Sequence, residues 1–498
     1  MTHYILSIDQ GTTSSRAVVF DQDGHLVSEH HIEITQYYPR DGWVAHDAEE
    51  IWQTTLTCCR QALKKANLSA QNVATIGISN QRETTVLWNR RTGQIVRRAI
   101  VWQDRRTAKI CANLRTRTGI PEMIADKTGL LLDPYFSSTK IKWLLDNVTG
   151  TRELAERGEI AFGTIDTFLL WKLTGGHVHA TDVTNASRTM LFNIHTLKWD
   201  DELLALFDIP KSLLPEVYEN CSKFGETTAN LFGSPIPITG MIGDQQAATI
   251  GQACFQPGMV KSTYGTGAFL LLNTGEKVIR SKNKLLSTIA YQIDGKVTYG
   301  LEGSIFAAGS IIKWLRDQLK LIQSAHETER FAESIEDTGG VYLVPAFTGL
   351  GAPYWDSDAR GALFGLTRDT CVEHIVRAAL ESICYQTLDL MQCMLQDGSG
   401  EFETLRVDGG MVTNNWLLQF LSDILSVEVS RPCITETTAL GAAYIAGLGV
   451  GIYQSLEDIS TLWKMDRDFR PQMGYQRRKH LYEGWETAVK RVLNSPQP

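Results

Sequence analysis

Two stretches of the sequence mirror each other about 250 residues apart, and this repeat limits the fold more than any other feature. "SIDQGTTSSRAVVF" (7–20) and "MVKSTYGTGAFLLLN" (259–273) each read as an apolar strand, a Gly–Thr turn and a second apolar strand. Set side by side, Gly11–Thr12 falls on Gly265–Thr266. Neither turn carries a Walker lysine or a dinucleotide-type glycine triplet. Two similar domains facing each other would bring one turn from each to a common ligand. At 498 residues the chain is long enough for two domains, and no flexible linker marks their junction. The expected units are 1–250 and 251–498.

The first hundred residues alternate strand and helix patterns. Tyr4–Asp9, Arg16–Phe20 and Leu26–His31 predict a β-meander, and "DAEEIWQTTLTCCRQALKKANL" predicts a helix with acids in its first turn. "VATIGIS" and "RAIVW" predict buried strands, followed by "NQRE" and "QDRR", while "IPITGMIGDQQ" runs into Asp244. Ligands of open α/β sheets sit beyond the carboxyl ends of strands, so three polar strand ends predict one cleft. "SIFAAGSIIKWLRDQL" predicts a helix in the second half. "ALGAAYIAGLGVGIY" (439–453), the longest apolar stretch, is too short and glycine-rich to cross a bilayer and predicts a buried helix.

Composition narrows the class. Hydrophobic residues make 43% and charged residues 21%, a globular balance, and a net charge of -8 argues against a nucleic-acid binder. The nine cysteines are scattered without C-x-x-C spacing, which suits a reducing compartment. "MTHYILSID" lacks a basic leader pattern, so the expected location is cytoplasmic, without membrane insertion.

The first turn suits phosphate: Gly11 lets backbone approach, Thr12, Thr13 and Ser14 add hydroxyl donors, and Arg16 adds charge. A plain hairpin with hydroxyl-capped turns fits "DQGTT" alone as well. The repeat at 262–267 and "VDGG" at 407–410 favour a clamp that holds a triphosphate with magnesium between domains. Asp9 and Asp244 both follow apolar strands. Asp9, beside the phosphate turn, suits a hydrated magnesium ion. Asp244 suits acceptance of a hydroxyl proton, and it is a second metal candidate. Strand-end aspartates more often serve as turn caps, and only the phosphate turns favour chemistry here. Arg82 and Glu83 offer a fixed donor and acceptor to a neutral polyhydroxy substrate, with Trp102 and Phe269 for its carbon backbone. A surface ion pair and core aromatics are the plainer alternatives.

These motifs carry a resemblance over nearly the whole chain. "YFSSTKIKWLLDN" (135–147), "GALFGLTRDTCVEHIVRAALE" (361–381), "DQGTTSSR", "NQRETT", "LDPYFS", "TNASRTMLFN", "GDQQAA", "STYGTG", "PAFTGLGAPYWD" and "DGGMVTNN" resemble the FGGY carbohydrate kinases. The resemblance implies an α/β fold of two actin/hexokinase-like (ribonuclease H-like) domains with ATP in a central cleft. It implies ATP-dependent, magnesium-assisted phosphorylation of glycerol to sn-glycerol 3-phosphate by a homodimer or homotetramer. It places glycerol against Arg82, Glu83, Trp102, Tyr135, Asp244, Gln245 and Phe269, with Asp244 as general base. It places the phosphates against Thr12, Thr13, Ser14, Arg16, Thr266 and Gly267, and the nucleoside against Gly309, Gly410 and Asn414. Lys313 stands where many relatives carry glutamine near the nucleotide.

Other features have plainer explanations. His177 and His179 alternate in "GGHVHA" and predict one face of a surface strand. "QRRKH" (476–480) predicts the solvated face of a C-terminal helix. Some relatives are controlled by fructose 1,6-bisphosphate or by histidine phosphorylation at a loop matching "TTANLFGSPIPITG" (227–240), which here has no Arg, Lys or His. Two alternatives share the phosphate turns: a kinase for a different polyol or a ketose, and an actin-like ATPase acting on a protein. The second gives no reason for the Arg82–Glu83–Trp102–Phe269 set.

Overall fold

The computed structural model describes residues 4–347, 349–356, 358–398, 400 and 402–493. The first three residues of "MTHYILSID", and Thr348 of "PAFTGLGAPYWD", lie outside them.

Two mixed sheets share one topology. In the first, Leu26–Glu33, Ser14–Asp21 and Tyr4–Gln10 form an antiparallel meander. Val73–Asn80 and Pro237–Gly243 then add in parallel beside Tyr4–Gln10, and Cys221–Glu226 closes the edge. In the second, Lys296–Ile305, Ala268–Gly275 and Val260–Tyr264 make the meander, and Thr404–Asp408 and Glu428–Pro432 add in parallel. Leu286–Ile293 and Met465–Phe469 flank it. The repeat read from two turns is therefore a repeat of five strands.

The apolar 439–453 stretch is largely helix, Thr437–Gly449, and it packs on the first sheet although it lies in the second half of the sequence. Glycines allow this approach. A Cβ on Gly441 would stand 1.8 Å from the Ala247 carbonyl oxygen, and one on Gly77 would stand 2.1 Å from that of Ala442. Ser7 Oγ donates to the Ala439 carbonyl at 2.7 Å, which closes a polar group that would otherwise be orphaned in the core.

Three sequence expectations need correction. "RAIVW" contributes only the two-residue strand Ala99–Ile100, paired with Ala45–His46 outside the main sheets. The chain turns away there because Asp104 accepts the Val44 amide at 2.6 Å and is clamped by Arg106 at 2.7 Å. "SIFAAGSIIKWLRDQL" is helical only over Gly309–Asp317, since Ser304 and Ile305 finish a strand. His177 and His179 precede the strand Ala180–Asp182 rather than sharing its face. His179 is held by the Phe162 carbonyl at 2.7 Å and Arg90 at 2.9 Å, and burial pushes its pKa down to about 4. The "QRRKH" segment is the exposed start of the helix Tyr475–Leu493, as expected.

Candidate active site

Val73–Asn80 ends in the middle of the first sheet, and the chain then bends at Arg82–Glu83. Glu83 adopts φ +61, and the Thr84 amide donates to the Arg82 carbonyl at 2.7 Å. A long side chain in the left-handed region persists only where its surroundings fix it. Here both side chains are fixed, but barely by each other. Arg82 Nε and Glu83 Oε1 stand 3.9 Å apart, at the limit of an ion pair. Arg82 Nε lies 3.0 Å from Asp244 Oδ1, and Arg82 Nη1 lies 2.5 Å from Glu302 Oε2. Glu83 Oε1 accepts from Arg188 Nε at 2.7 Å, and Arg188 Nη2 lies 2.8 Å from Glu302 Oε1. Burial pushes the Glu83 pKa up despite the two arginines. At Glu302 burial also pushes upward, but Arg188 and Arg82 outweigh it and hold the carboxyl below its ordinary value.

A cavity of about 320 Å³ opens in front of this group. It is lined by all seven expected polyol contacts: Arg82, Glu83, Trp102, Tyr135, Asp244, Gln245 and Phe269. Thr12 and Thr13 of the first turn, and Thr266 and Gly267 of the second, line it too. The Trp102 ring meets Tyr135 edge-on at 5.5 Å and Phe269 at 6.1 Å, and its Nε1–H donates to Thr12 Oγ1 at 2.9 Å. The apolar wall is thereby tied to the phosphate turn.

A second cavity of about 340 Å³ is lined by Gly309, Gly410, Asn414, Gly265, Thr266 and Lys313. The last three line both cavities, so the two spaces meet at the second turn. The glycines serve different ends. A Cβ on Gly309 would stand 2.6 Å from the Gly265 carbonyl oxygen, so it permits helix and turn to touch. A Cβ on Gly410 would meet nothing within 4 Å and would stand in open space. That bare backbone is a cradle for a bulky planar or phosphorylated ligand.

Ser14 and Arg16 line neither cavity. The Ser14 carbonyl closes the turn by accepting the Gly11 amide at 2.9 Å. Arg16 forms ion pairs with Glu29 and Glu436, so its charge is already balanced. Asp9 is half-buried and, among the described residues, makes no ion pair. Its pKa is pushed up to about 7, first by burial, with Arg16 opposing and Glu436 and Asp244 adding. A carboxylate without a cationic partner, one strand end from the phosphate turn, fits a hydrated hard cation. Among the described residues the clustered metal-type ligands are Asp21, Asp23 and His25, away from this site.

Sequence reasoning missed Arg188, Glu302, Gln246 and Lys261. Lys261 Nζ donates to Gln245 Oε1 at 2.6 Å, and burial pushes its pKa down to about 8. A lone charge in an apolar strand, as in "VKSTY" and "GLEGSI", is the signal that was present.

Comparison with known proteins gives a consistent result. Residues 4–251 match the N-terminal domain, and 260–450 the C-terminal domain, of the FGGY family of carbohydrate kinases. The chain is 62% identical over 498 residues to a glycerol kinase of Coxiella burnetii, covering 100% of this chain and 99% of that one. It is 60% identical over 492 residues to glycerol kinase 1 of Pseudomonas aeruginosa, covering 99% of each. The crystal structure of Plasmodium falciparum glycerol kinase with ADP superposes with a TM-score of 0.91 at 40% identity, covering 99% of each chain. A gluconate kinase of Lactobacillus acidophilus, at 21% identity and TM-score 0.87, shares the fold.

Proposed function

The chain belongs to the FGGY family of carbohydrate kinases, and from that premise we propose that it transfers the γ-phosphoryl group of ATP to glycerol with Asp244 as general base. The product is sn-glycerol 3-phosphate. The observation that carries this is the junction of the two cavities at Gly265, Thr266 and Lys313. A nucleotide against Gly309, Gly410 and Asn414 would point its phosphates through that junction at a polyol held by Arg82, Glu83 and Asp244. Trp102 and Phe269 cover its carbon atoms, which no polar group needs to reach.

Phosphoryl transfer needs little covalent help from the protein and much positioning and charge compensation. The Thr12 and Thr266 turns supply donors from opposite sides. Asp244 Oδ1 is committed to Arg82 and to the Gln245 amide at 2.7 Å, which leaves Oδ2 to orient a hydroxyl and take its proton late. Asp9, with Asp244 as the second candidate, would hold magnesium, which when bound neutralises charge on the nucleotide phosphates. Units 1–250 and 251–498 act as two jaws, and their closure keeps water from the phosphoryl group. Likeness to the family also supports a homodimer or homotetramer working in the cytoplasm. Among the described residues no helix is long and apolar enough to cross a membrane.

The test is a coupled ADP-release assay with glycerol, dihydroxyacetone, erythritol and several ketoses. Glycerol should give the highest kcat/KM. A ketose preferred over glycerol would reassign the substrate, and polyol-independent ATP turnover would favour the ATPase alternative.

A further inference from the structure

We propose that Arg188 and Glu302 are positioning residues for the phosphoryl acceptor: they aim Arg82 and Glu83 without touching substrate. The proposal rests on the front cavity being the polyol site. Both side chains are 0% exposed, and neither lines the cavity. Their contacts divide the donors and acceptors of the two residues in front of them.

Arg82 illustrates the division. Its Nε stands 3.0 Å from Asp244 Oδ1 as an ion pair, its Nη1 donates to Glu302 and to Gln246 Oε1 at 3.1 Å, and one Nη2 hydrogen goes to Glu302 Oε1 at 3.3 Å. One Nη2 hydrogen remains for a ligand hydroxyl. Glu83 is divided in the same way. Oε1 is taken by Arg188, and among the described residues nothing donates to Oε2. The pair behind thus fixes which edge of each front residue is presented. A bidentate carboxylate–guanidinium contact sets orientation as well as distance, which a single contact cannot do. Arg82 and Glu302 make that bidentate contact, whereas Glu83, in its left-handed backbone, is held by the single bond from Arg188 Nε.

The anchor comes from the other half of the chain. Glu302 lies on Lys296–Ile305 of the second sheet, whereas Arg82 and Arg188 belong to the first half. The polyol contacts are therefore set by a charge that crosses between the halves.

The experiment separates aim from stability. Glu302→Gln keeps size and one acceptor but removes the charge that holds both arginines. Glycerol KM should rise and kcat fall, lowering kcat/KM at least about tenfold, while ATP KM changes less than about threefold. Arg188→Lys keeps the charge and loses the fork, and it should show the same pattern. The double variant Arg188→Met/Glu302→Leu removes one buried charge of each sign and leaves Arg82 facing Glu83 and Asp244, so its melting temperature should lie above that of Glu302→Gln, which leaves two arginines without their shared carboxylate. Its kcat/KM for glycerol should stay low. If kcat/KM recovers along with melting temperature, the pair is merely structural and the proposal is overturned. Unaltered glycerol kinetics in Arg188→Lys overturns it as well, even if Glu302→Gln does not fold. A wild type that shows no glycerol-dependent ADP release overturns the polyol site itself, and the proposal with it.

Discussion

Replacing Asp244 by asparagine tests the chemistry with the least disturbance to the site. Asp244 opens the helix Asp244–Gly251 directly after Gly243, where a Cβ would stand 2.8 Å from Arg82 Cδ. Side-chain Oδ1 accepts from the Gln245 amide and lies 3.0 Å from Arg82 Nε, and an asparagine carbonyl keeps the first contact while giving up the charge of the second. The change therefore falls on Oδ2, which becomes an NH₂ group. That group can donate to a glycerol oxygen but cannot take a proton. Glycerol binding should survive, with a loss no larger than one charged hydrogen bond, about 1.5–3 kcal/mol. Turnover should fall by roughly 10²–10⁴-fold, equivalent to about 3–5 kcal/mol of barrier. Coupled ADP release gives kcat, and titration calorimetry gives glycerol affinity. Asp9→Asn is the contrast: it should weaken use of magnesium-nucleotide and be partly rescued by added magnesium. A kcat for Asp244→Asn within about threefold of wild type would refute the assignment. So would Asp9→Asn being inactive at every magnesium concentration while Asp244→Asn turned over normally.

Other outcomes follow from single contacts. Glu83→Ala removes the acceptor at Oε2 and frees Arg188 Nε; glycerol KM should rise roughly 10- to 100-fold with ATP KM little changed, and an unchanged glycerol KM would misplace the pocket. Gly410→Ala puts a methyl into open space rather than into protein, so the melting temperature should hold while ATP KM rises; destabilisation with normal ATP KM would contradict the cradle. His46, wholly buried, donates to Gln36 Oε1 at 2.9 Å, and burial lowers its pKa from 6.5 to about 4. The unfolded chain then binds the extra proton, so this histidine costs stability as pH falls from 6.5 to 4, up to about 3 kcal/mol. Wild type should lose more melting temperature than His46→Gln over that window, and parallel curves would reject the assignment. The 227–240 loop lacks cationic side chains, so fructose 1,6-bisphosphate should not inhibit through it; inhibition abolished by changes in that loop would contradict this.

The lining of the front cavity was legible in the sequence because its residues sit where the pattern changes. Arg82, Glu83 and Asp244 each follow an apolar strand, and a strand end in an open sheet points to a ligand. The Gly–Thr turns were legible because they recur with matching flanks. The back of the site was not. Glu302 and Lys261 lie inside strands, where one charge among apolar neighbours gives no hint of its partner. Arg188 was visible within "TNASRTMLFN" but had no apparent task until Glu83 was found 2.7 Å away. Arg16 has a partner that the sequence did not show. Its place beside the turn suggested phosphate, yet Glu436, 420 residues away in sequence, takes its charge. At Arg82–Glu83 the plainer alternative of a mutual ion pair fails, since the two stand 3.9 Å apart and each has a different nearer partner.

The same contacts limit how the cleft can open. The floor is sewn across the two halves of the chain by Arg82–Glu302, by Arg188–Glu302 and by Lys261–Gln245, all of them buried. Separating the first two would strand charges in a dry interior, at a cost of several kcal/mol for each broken pair. The Thr437–Gly449 helix adds a close-packed seam, with backbone near backbone at Gly441 and Gly251. A motion that opened the site from its floor would have to break all of these together. Two residues at the rim are less constrained. Tyr38 lines the front cavity yet is 70% exposed, and Lys313 lines both cavities without a salt-bridge partner among the described residues. On the proposed reading, substrate would enter and product leave at the rim, while Arg82, Glu83 and Asp244 would keep their geometry through the cycle. That division suits a reaction in which positioning supplies most of the rate, because the groups that orient the acceptor need no rebuilding at each turnover.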